Sequence, residues 1–254
     1  MNKKLVIANW KMNLNMQESS IFLHKLSEKV QAHRGMEVIL APSTFTLQSL
    51  SLQINHRQFK LAAQNFYWRD HGAFTGEVSI SQLRGIVQYA LVGHSERRNI
   101  FHETDKDIRA KVAAAIRNNI RPILCIGETS DERNHDETNL VLNDQLLGGL
   151  ANVSSEDISK VIVAYEPVWA IGTGVNANPD DIRKAVKTIR NQIKNLYGAK
   201  TAEEIQVVYG GSVQPEFATD YVKIKGVDGL LIGGASLSVE KFAQITQKVF
   251  ETIK

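Results

Sequence analysis

The apolar stretch VIVAY at residues 161–165 is followed directly by a charged residue, Glu166. A strand that is exposed on one face alternates polar and apolar residues, whereas a strand that is buried on both faces is apolar throughout. The stretch therefore predicts an inner strand of a parallel sheet. Seven similar runs, rich in Val, Ile and Leu, occur at residues 5–8, 38–41, 61–63, 89–92, 123–126, 205–209 and 230–232.

The longer segments between these runs have the periodicity of amphipathic helices. Two sets of apolar residues show it: Ile21, Leu23, Leu26 and Val30, and then Ile182, Val186, Ile189 and Ile193. Asn178 followed by Pro179 is typical of a helix start, with an N-cap residue before a proline in the first turn. The acids in Ser154-Ser155-Glu156-Asp157 predict another first turn. Strands and helices are therefore expected to alternate.

Eight strand-helix units in 254 residues average roughly 32 residues each, close to the size of the smallest closed (β/α)8 barrels. The alternative is a doubly wound open sheet, which normally carries a glycine-rich dinucleotide turn after its first strand. Here the first run is followed by Asn9-Trp10-Lys11, which contains no glycine. No Pro-rich linker or low-complexity segment divides the chain. We therefore predict one domain over residues 1–254, an α/β barrel of eight parallel strands.

The composition is that of an ordinary globular protein, with 43% hydrophobic and 22% charged residues. These values exclude a disordered, collagen-like or coiled-coil chain. The formal net charge is +3 and no block of five like charges occurs. This balance is too mild to predict a nucleic-acid partner, although it suits a small anionic ligand.

The location of the protein is predicted from the lack of export and membrane signals in the sequence. No apolar stretch approaches the roughly 20 residues that span a bilayer, and the start of the chain leads into only a short apolar run. The single cysteine, Cys125, excludes an intrachain disulfide and fits a reducing compartment. We expect a cytoplasmic protein without a membrane partner, in which Cys125 is a packed strand residue and not a nucleophile.

Polar residues follow several of the apolar runs, at the strand ends where a barrel builds its active site. Asn9 and Lys11 follow the first run, and His94 follows the fourth. Taken alone, Lys11 is more often a solvated lysine, Asn9 a turn residue and His94 a hydrogen-bonded structural histidine. Glu166 emerges from an apolar strand, where burial favours proton uptake by a carboxylate and so suits a base. The alternative for Glu166 is a purely structural role in a buried ion pair.

Two glycine pairs, Gly210-Gly211 and Gly233-Gly234, follow the seventh and eighth runs. Each pair alone is typical of a simple turn, but glycine also lets backbone N–H groups approach an anion closely. In (β/α)8 barrels a phosphate commonly binds between the loops after strands seven and eight. The two pairs together therefore predict a phosphorylated substrate.

Six segments of the chain, in order, resemble the triosephosphate isomerase family, and they span essentially the whole sequence. They are NWKMN at 9–13, GAFTGEVS at 72–79, GHSERR at 93–98, AYEPVWAIGTG at 164–174, YGGSV at 209–213 and GGASL at 233–237. The resemblance implies a single TIM-barrel domain. It also implies that the protein interconverts dihydroxyacetone phosphate and D-glyceraldehyde 3-phosphate, in glycolysis and gluconeogenesis.

The resemblance assigns roles to individual residues. Glu166 is the base that takes a proton from the carbon beside the carbonyl, giving an enediolate, and His94 is a neutral electrophile, as in the family. Lys11 supplies a fixed positive charge, and Asn9 donates a hydrogen bond to a substrate oxygen. Backbone groups bind the phosphate at Gly172, Ser212, Gly233 and Gly234. Ser95 and Glu96 contact these residues and not the substrate itself. Glu96 is expected near Lys11, and Ser95-Glu96 are expected to begin a helix. Neither a metal nor an organic cofactor is implied.

The segment after Glu166 matches the family's lid, which closes over the substrate and excludes water. The lid residues are Pro167, Val168, Trp169, Ala170, Ile171, Gly172, Thr173 and Gly174. An ordinary surface loop with glycines is the alternative. The sequence departs from the family at the outgoing hinge, Val175-Asn176-Ala177, at Ile80, where a proline is frequent, and at residues 129–139, to which no role is carried over.

The loop at residues 64–79 is long and unusually aromatic for a solvated loop. In the family this loop enters a second subunit, so the resemblance implies a homodimer. Thr75 and Glu77 would reach Asn9 and Arg98 of the partner subunit. The alternative is that the aromatic side chains of the loop pack on their own subunit.

Two other functions compete with isomerisation of a triose phosphate. A barrel isomerase acting on a phosphoribosyl amine or an indole precursor explains the glycine pairs, but not Lys11, His94 and Glu166 together. A binding protein that has lost catalysis predicts the loss of at least one of these three residues, and all are present.

Overall fold

Eight parallel strands close into a barrel in the computed structural model, which describes residues 3–172 and 176–253. The strands are β1 (Lys4–Asn9), β2 (Met36–Ala41), β3 (Phe59–Ala63), β4 (Tyr89–Val92), β5 (Arg121–Ile126), β6 (Ile162–Tyr165), β7 (Gln206–Tyr209) and β8 (Gly229–Ile232). Each of the eight apolar runs coincides with one of these strands, although β6 and β7 each begin one residue after the start of their run. The predicted fold class is therefore confirmed.

The barrel is closed by pairing between its first and last strands. β1 pairs with β2 on one side and with β8 on the other, in a register that sets Leu5 against Gly229 and Ala8 against Ile232. The strands approach so closely here that a Cβ on Gly229 would come within 2.1 Å of the Leu5 carbonyl oxygen. Glycine at this position therefore permits the closure.

The strands are apolar throughout because both of their faces are buried. Leu5 and Ile7 of β1 belong to an inner cluster that fills the barrel, whereas Val6 and Ala8 belong to an outer cluster beneath the helices. Successive residues of a strand point to opposite faces, so the two clusters take alternate residues. This arrangement is the physical reason for the unbroken runs in the sequence.

Ten α-helices lie in the described parts of the chain, and most of them cover the barrel. They are α1 (Met16–Lys29), α2 (Thr44–Gln53), α3 (Ser95–Asn99), α4 (Asp105–Arg117), α5 (Ser130–Asn134), α6 (Thr138–Leu150), α7 (Pro179–Tyr197), α8 (Ala199–Glu204), α9 (Ala218–Val222) and α10 (Val239–Glu251). None of the helices in residues 3–172 and 176–253 is long and apolar enough to cross a membrane.

The helix start predicted at Asn178 and Pro179 is confirmed. The Asn178 side chain accepts hydrogen bonds from the backbone N–H groups of Asp180 and Asp181, and Pro179 is the first residue of α7. The four apolar residues predicted to form the inner face of this helix, Ile182, Val186, Ile189 and Ile193, are all buried. They pack α7 onto the barrel.

Two local predictions are wrong. Ile21 is 47% exposed, and its neighbour Phe22 takes the buried place in α1. No α-helix begins at residues 154–157, which form turns before a short 3-10 helix at Ile158–Lys160. Asp157 N–H does bond to the Ser154 hydroxyl oxygen, at 3.2 Å, so the capping chemistry is present. The chain enters β6 at Ile162, which leaves no room for further helical turns.

Candidate active site

The carboxyl ends of the eight parallel strands meet at one end of the barrel, around a cavity of 310 Å³. The structure brings together there all of the residues predicted to act on or bind the substrate: Asn9, Lys11, His94, Glu166, Gly172, Ser212, Gly233 and Gly234. These residues come from both ends and the middle of the sequence. Their meeting depends on the closure of the barrel.

Glu166 is buried at the floor of the cavity, with a relative exposure of 2%. Its backbone N–H continues the pairing of β6 with β5 by donating to the Ile126 carbonyl oxygen at 2.7 Å. Its carboxylate accepts a hydrogen bond from the Ser95 N–H through Oε2 at 3.1 Å. The other oxygen, Oε1, lies 3.3 Å from Nε2 of His94. The carboxylate is therefore buried, positioned by one backbone hydrogen bond and close to a histidine at the cavity, where it can meet a bound substrate.

His94 is the N-cap residue of α3, which confirms that Ser95 and Glu96 open a helix. Its Nδ1 accepts a hydrogen bond from the Glu96 N–H at 3.2 Å. A ring nitrogen that accepts carries no proton, so the neutral ring has its hydrogen on Nε2. The Nε2–H group therefore faces Glu166 and the cavity, and the helix start dictates the tautomer.

Lys11 has a left-handed backbone conformation, with φ of 53°, which is uncommon outside glycine. Two side chains hold this turn. Asn9 Oδ1 accepts from the Lys11 N–H at 3.1 Å, and Gln64 Nε2 donates to the Lys11 carbonyl oxygen at 2.9 Å. The Lys11 ammonium lies 2.5 Å from Glu96 Oε1, so the structure places Glu96 beside Lys11, where the sequence analysis expected it.

The phosphate end of the cavity is formed by the turns after β7 and β8. Gly234 opens a 3-10 helix at Gly234–Leu237, so its N–H has no partner within that helix. Gly211 also meets a packing requirement that the sequence did not reveal. A Cβ at this position would come within 2.0 Å of the buried Tyr209 hydroxyl. Burial raises the pKa of Tyr209, so this hydroxyl keeps its proton.

The predicted lid begins at Pro167 with a 3-10 turn at Val168–Ala170 and reaches Gly172, which is exposed. Thr173 and Gly174, and Val175 of the outgoing hinge, lie outside the described residues. The Val168 N–H donates to the Glu128 carbonyl oxygen at 2.9 Å. The incoming end of the lid is therefore tied to the segment that follows β5.

Glu128 is a functional candidate that the sequence analysis missed. Its fully buried carboxylate accepts hydrogen bonds from Trp169 Nε1 at 2.7 Å and from the Tyr165 hydroxyl at 3.1 Å. Burial raises the pKa of Glu128, and the two hydrogen bonds oppose that rise. Arg133 stacks on the Trp169 ring, 4.1 Å from its centre. In the sequence, the signal that marks Glu128 is its position two residues after the fifth apolar run.

Lys241 and Gln64 also went unrecognised as site residues. Lys241 lines the cavity from the first turn of α10, and Gln64 supports the Lys11 turn. For Lys241 the signal is its place in the helix start that follows the Gly233-Gly234 turn. Gln64 directly follows the third apolar run, at a strand end like the other site residues.

The loop at residues 64–79 uses its aromatic residues in two ways. Phe66 is buried in the core, whereas Tyr67 stacks on Trp68 and packs at a tilt against Phe74, with ring centres 4.1 and 4.5 Å apart. The tip at residues 71–77, including Thr75 and Glu77, is exposed. Part of the loop therefore packs on its own chain, and its tip projects from it.

Arg98 is anchored at the ends of β4 and β5 and at the start of α4. Its guanidinium donates to the carbonyl oxygens of Gly93 and Cys125 and pairs with Asp105 at 2.8 Å. Cys125 itself is fully buried on β5, and burial raises the pKa of its thiol well above the usual value. A buried, protonated thiol is inert, as the sequence analysis predicted.

The described ranges contain no group of three or more His, Cys, Asp or Glu side chains arranged to bind a metal ion.

Comparison with known proteins gives consistent results over almost the whole chain. A family model of triosephosphate isomerase matches residues 4–249. A triosephosphate isomerase from Caldanaerobacter subterraneus subsp. tengcongensis is 41% identical over 246 residues, which cover 96% of this chain and 99% of that protein. One from Thermodesulfovibrio yellowstonii is 40% identical over 248 residues, which cover 97% of this chain and 100% of that protein. One from Alkaliphilus oremlandii is 39% identical over 246 residues, which cover 96% of this chain and 99% of that protein. The resemblance seen in the six sequence segments is thereby confirmed, and the chain belongs to the triosephosphate isomerase family.

Proposed function

We propose that the cavity at the carboxyl ends of the strands isomerises a triose phosphate, with Glu166 as the base and His94 as the electrophile. As a member of its family, the protein interconverts dihydroxyacetone phosphate and D-glyceraldehyde 3-phosphate, a reaction of glycolysis. The observation that carries the assignment of roles is the pairing of a buried carboxylate with the Nε2–H of a neutral histidine.

The proposed reaction needs only proton transfers. The Glu166 carboxylate removes a proton from the carbon beside the carbonyl, and that C–H electron pair forms a carbon–carbon double bond. The carbonyl electrons move to the oxygen, where the His94 Nε2–H stabilises the enediolate. A proton passes from the hydroxyl oxygen to the former carbonyl oxygen, and Glu166 returns its proton to the neighbouring carbon, where the new carbonyl forms. To reach the substrate, Glu166 gives up its present contact with His94 Nε2, which the substrate oxygens take over.

The remaining predicted residues hold the substrate in this proposal. Lys11 places its ammonium against the developing negative charge, and Asn9 directs its amide at a substrate oxygen. Backbone groups at Gly172, Ser212, Gly233 and Gly234 bind the phosphate. The lid from Pro167 to Gly174 closes over it and keeps water from the enediolate.

The test of this function is turnover by the purified protein. We expect conversion of D-glyceraldehyde 3-phosphate to dihydroxyacetone phosphate, followed through an NADH-oxidising enzyme that consumes the product. An unphosphorylated triose is the matched control, and its kcat/KM should be far lower because it lacks the group that the glycine turns bind. Equal use of both sugars would contradict the phosphate assignment, and no turnover of either would contradict the function.

We also propose that the protein is a homodimer held by the loop at residues 64–79. The stem of the loop is fixed, because the Tyr67 N–H donates to the Val78 carbonyl oxygen at 2.8 Å, while the tip is exposed. A rigid projecting loop of this kind suits insertion into a second subunit. In the proposed dimer, Thr75 and Glu77 reach Asn9 and Arg98 of the partner subunit.

Light scattering at micromolar concentration should give twice the mass of one chain. Thr75→Arg should give the mass of one chain, because a large cation at the tip cannot enter a fitted pocket. Ser155→Arg, on an exposed turn before β6, is the control and should leave the dimer intact. A monomeric wild-type protein, or a Thr75→Arg variant that stays dimeric, would refute this interface.

We further propose that residues 1–254 form one domain, since the first and last strands pair directly. A role in glycolysis and the single free, buried cysteine support a cytoplasmic location.

A further inference from the structure

We propose that Lys241 is the cation that draws the substrate's phosphate into the cavity and binds it at the rim. The inference rests on the proposed function and adds to it a residue that determines affinity for the anionic substrate. Lys241 lines the same cavity as Gly233 and Glu166, and it is exposed to solvent there.

The backbone of Lys241 is fixed in place. Its N–H donates to the hydroxyl oxygen of Ser238, the N-cap residue of α10, at 3.3 Å. The next residue, Phe242, is fully buried and sets the rotation of the helix. The Lys241 side chain therefore leaves the helix at a defined point beside the turn after β8.

The lysine is not explained by helix stability. It occupies the third position of α10, where the positive end of the helix dipole disfavours a cation. Its side chain makes no hydrogen bond or ion pair with any residue in 3–172 or 176–253. A flexible cation at an unfavourable place, facing the active-site cavity, is consistent with a role in ligand binding.

The balance of charge in the cavity gives the reason for that role. Four ionisable side chains line it: Lys11, His94, Glu166 and Lys241. The Lys11 ammonium already pairs with the Glu96 carboxylate at 2.5 Å. His94 Nδ1 accepts a hydrogen bond from the Glu96 N–H, so the ring carries one hydrogen and no charge. Without Lys241, the ionised Glu166 would leave the site with a net negative charge.

The ligand makes this balance important. A phosphate monoester carries a charge of about −1.5 to −2 near neutral pH. A cavity with net negative charge would repel it, and an uncommitted cation at the entrance offsets that charge where the ligand enters. Because Lys241 is exposed, its effect acts through solvent and is screened by salt. These properties separate it from Lys11, which lies deeper and takes part in the chemistry.

Lys241→Met is the test, with kcat and KM for D-glyceraldehyde 3-phosphate measured at low and high salt. At an ionic strength of about 20 mM we expect KM to rise about three- to tenfold while kcat stays within about twofold. At about 500 mM the difference in KM should nearly disappear, because the Debye length is then only a few ångströms. Lys241→Arg, which keeps the charge, should restore most of the affinity.

The matched control is Lys187→Met, which removes the same charge from an exposed position on α7 outside the cavity. Equal KM values in the Lys241 and Lys187 variants would overturn the proposal. A fall in kcat at unchanged KM, or a Lys241→Arg variant as weak as Lys241→Met, would overturn it too.

Calorimetric titration with inorganic phosphate separates this inference from the proposed function, because it needs no turnover. We expect the dissociation constant for phosphate to rise in Lys241→Met by the same factor as KM. A wild-type protein that binds phosphate through Lys241 but does not turn over triose phosphates would contradict the function and support the inference. A Lys241→Met variant with normal phosphate binding and normal turnover would contradict the inference and support the function.

Discussion

Glu166→Gln should lower kcat by about a thousandfold or more, since a carboxamide cannot accept the substrate proton. The substitution keeps the size of the side chain, and its amide oxygen can still accept the hydrogen bond from the Ser95 N–H. Folding and phosphate binding should therefore be nearly unchanged. Steady-state kinetics in both directions measure kcat. Thermal unfolding measures folding, and titration with inorganic phosphate measures phosphate binding.

Glu156→Gln is the matched control, because Glu156 is an exposed glutamate on the turn before β6, whereas Glu166 follows the other end of that strand. Its kcat should equal that of the wild type. Turnover of Glu166→Gln within tenfold of the wild type would remove Glu166 from the role of base. Loss of phosphate binding along with turnover would instead mean that the variant has disturbed the cavity.

Lys11→Met should lower kcat/KM by about a hundred- to a thousandfold, the effect expected when a fixed group that stabilises developing charge is removed. Both kcat and KM should change, because the proposed function sets this ammonium against the phosphate and the oxygens at which charge develops. In addition, the variant leaves the Glu96 carboxylate without its ion-pair partner beside an anionic substrate. Kinetics and the inhibition constant of inorganic phosphate measure the two contributions.

The double variant Lys11→Met with Glu96→Gln separates loss of the cation from exposure of the carboxylate. If the ammonium acts directly, the double variant should remain nearly as slow as Lys11→Met. Recovery to within tenfold of the wild type would mean that the unpaired Glu96 causes the loss. An unchanged inhibition constant for phosphate in Lys11→Met would contradict a role for Lys11 in binding that group.

The fold was predictable because its strands are buried on both faces. Such strands are apolar throughout, and unbroken apolar runs can be recognised in the sequence. All eight apolar runs became strands, and their parallel pairing followed from the same argument. The failures concern features that local patterns do not determine. Ile21 and Phe22 are adjacent and both apolar, and only the packing of α1 decides which is buried. At residues 154–157, the capping residues were recognised, but the nearby start of β6 prevents a helix.

The site was predictable where chemistry-bearing residues directly follow strands, as Glu166 does. It was not predictable where a role depends on a contact between distant parts of the chain. Gln64 supports the Lys11 turn across 53 positions, and Trp169 meets Glu128 across 41. Gly211 was interpreted through the phosphate alone, although the Tyr209 hydroxyl also requires a residue without a side chain. Such constraints emerge only when the barrel is closed.

The pairing of β1 with β8 has a consequence for synthesis of the protein on the ribosome. A nascent chain that ends before residue 229 already contains Asn9, Lys11, His94 and Glu166, but β1 lacks one of its two neighbours. It also lacks the Gly233-Gly234 turn and the final helix with Lys241. The growing chain therefore carries its proposed reactive groups with only part of the proposed phosphate site. Enzymatic competence should arise in a single late event, when the last strand leaves the exit tunnel.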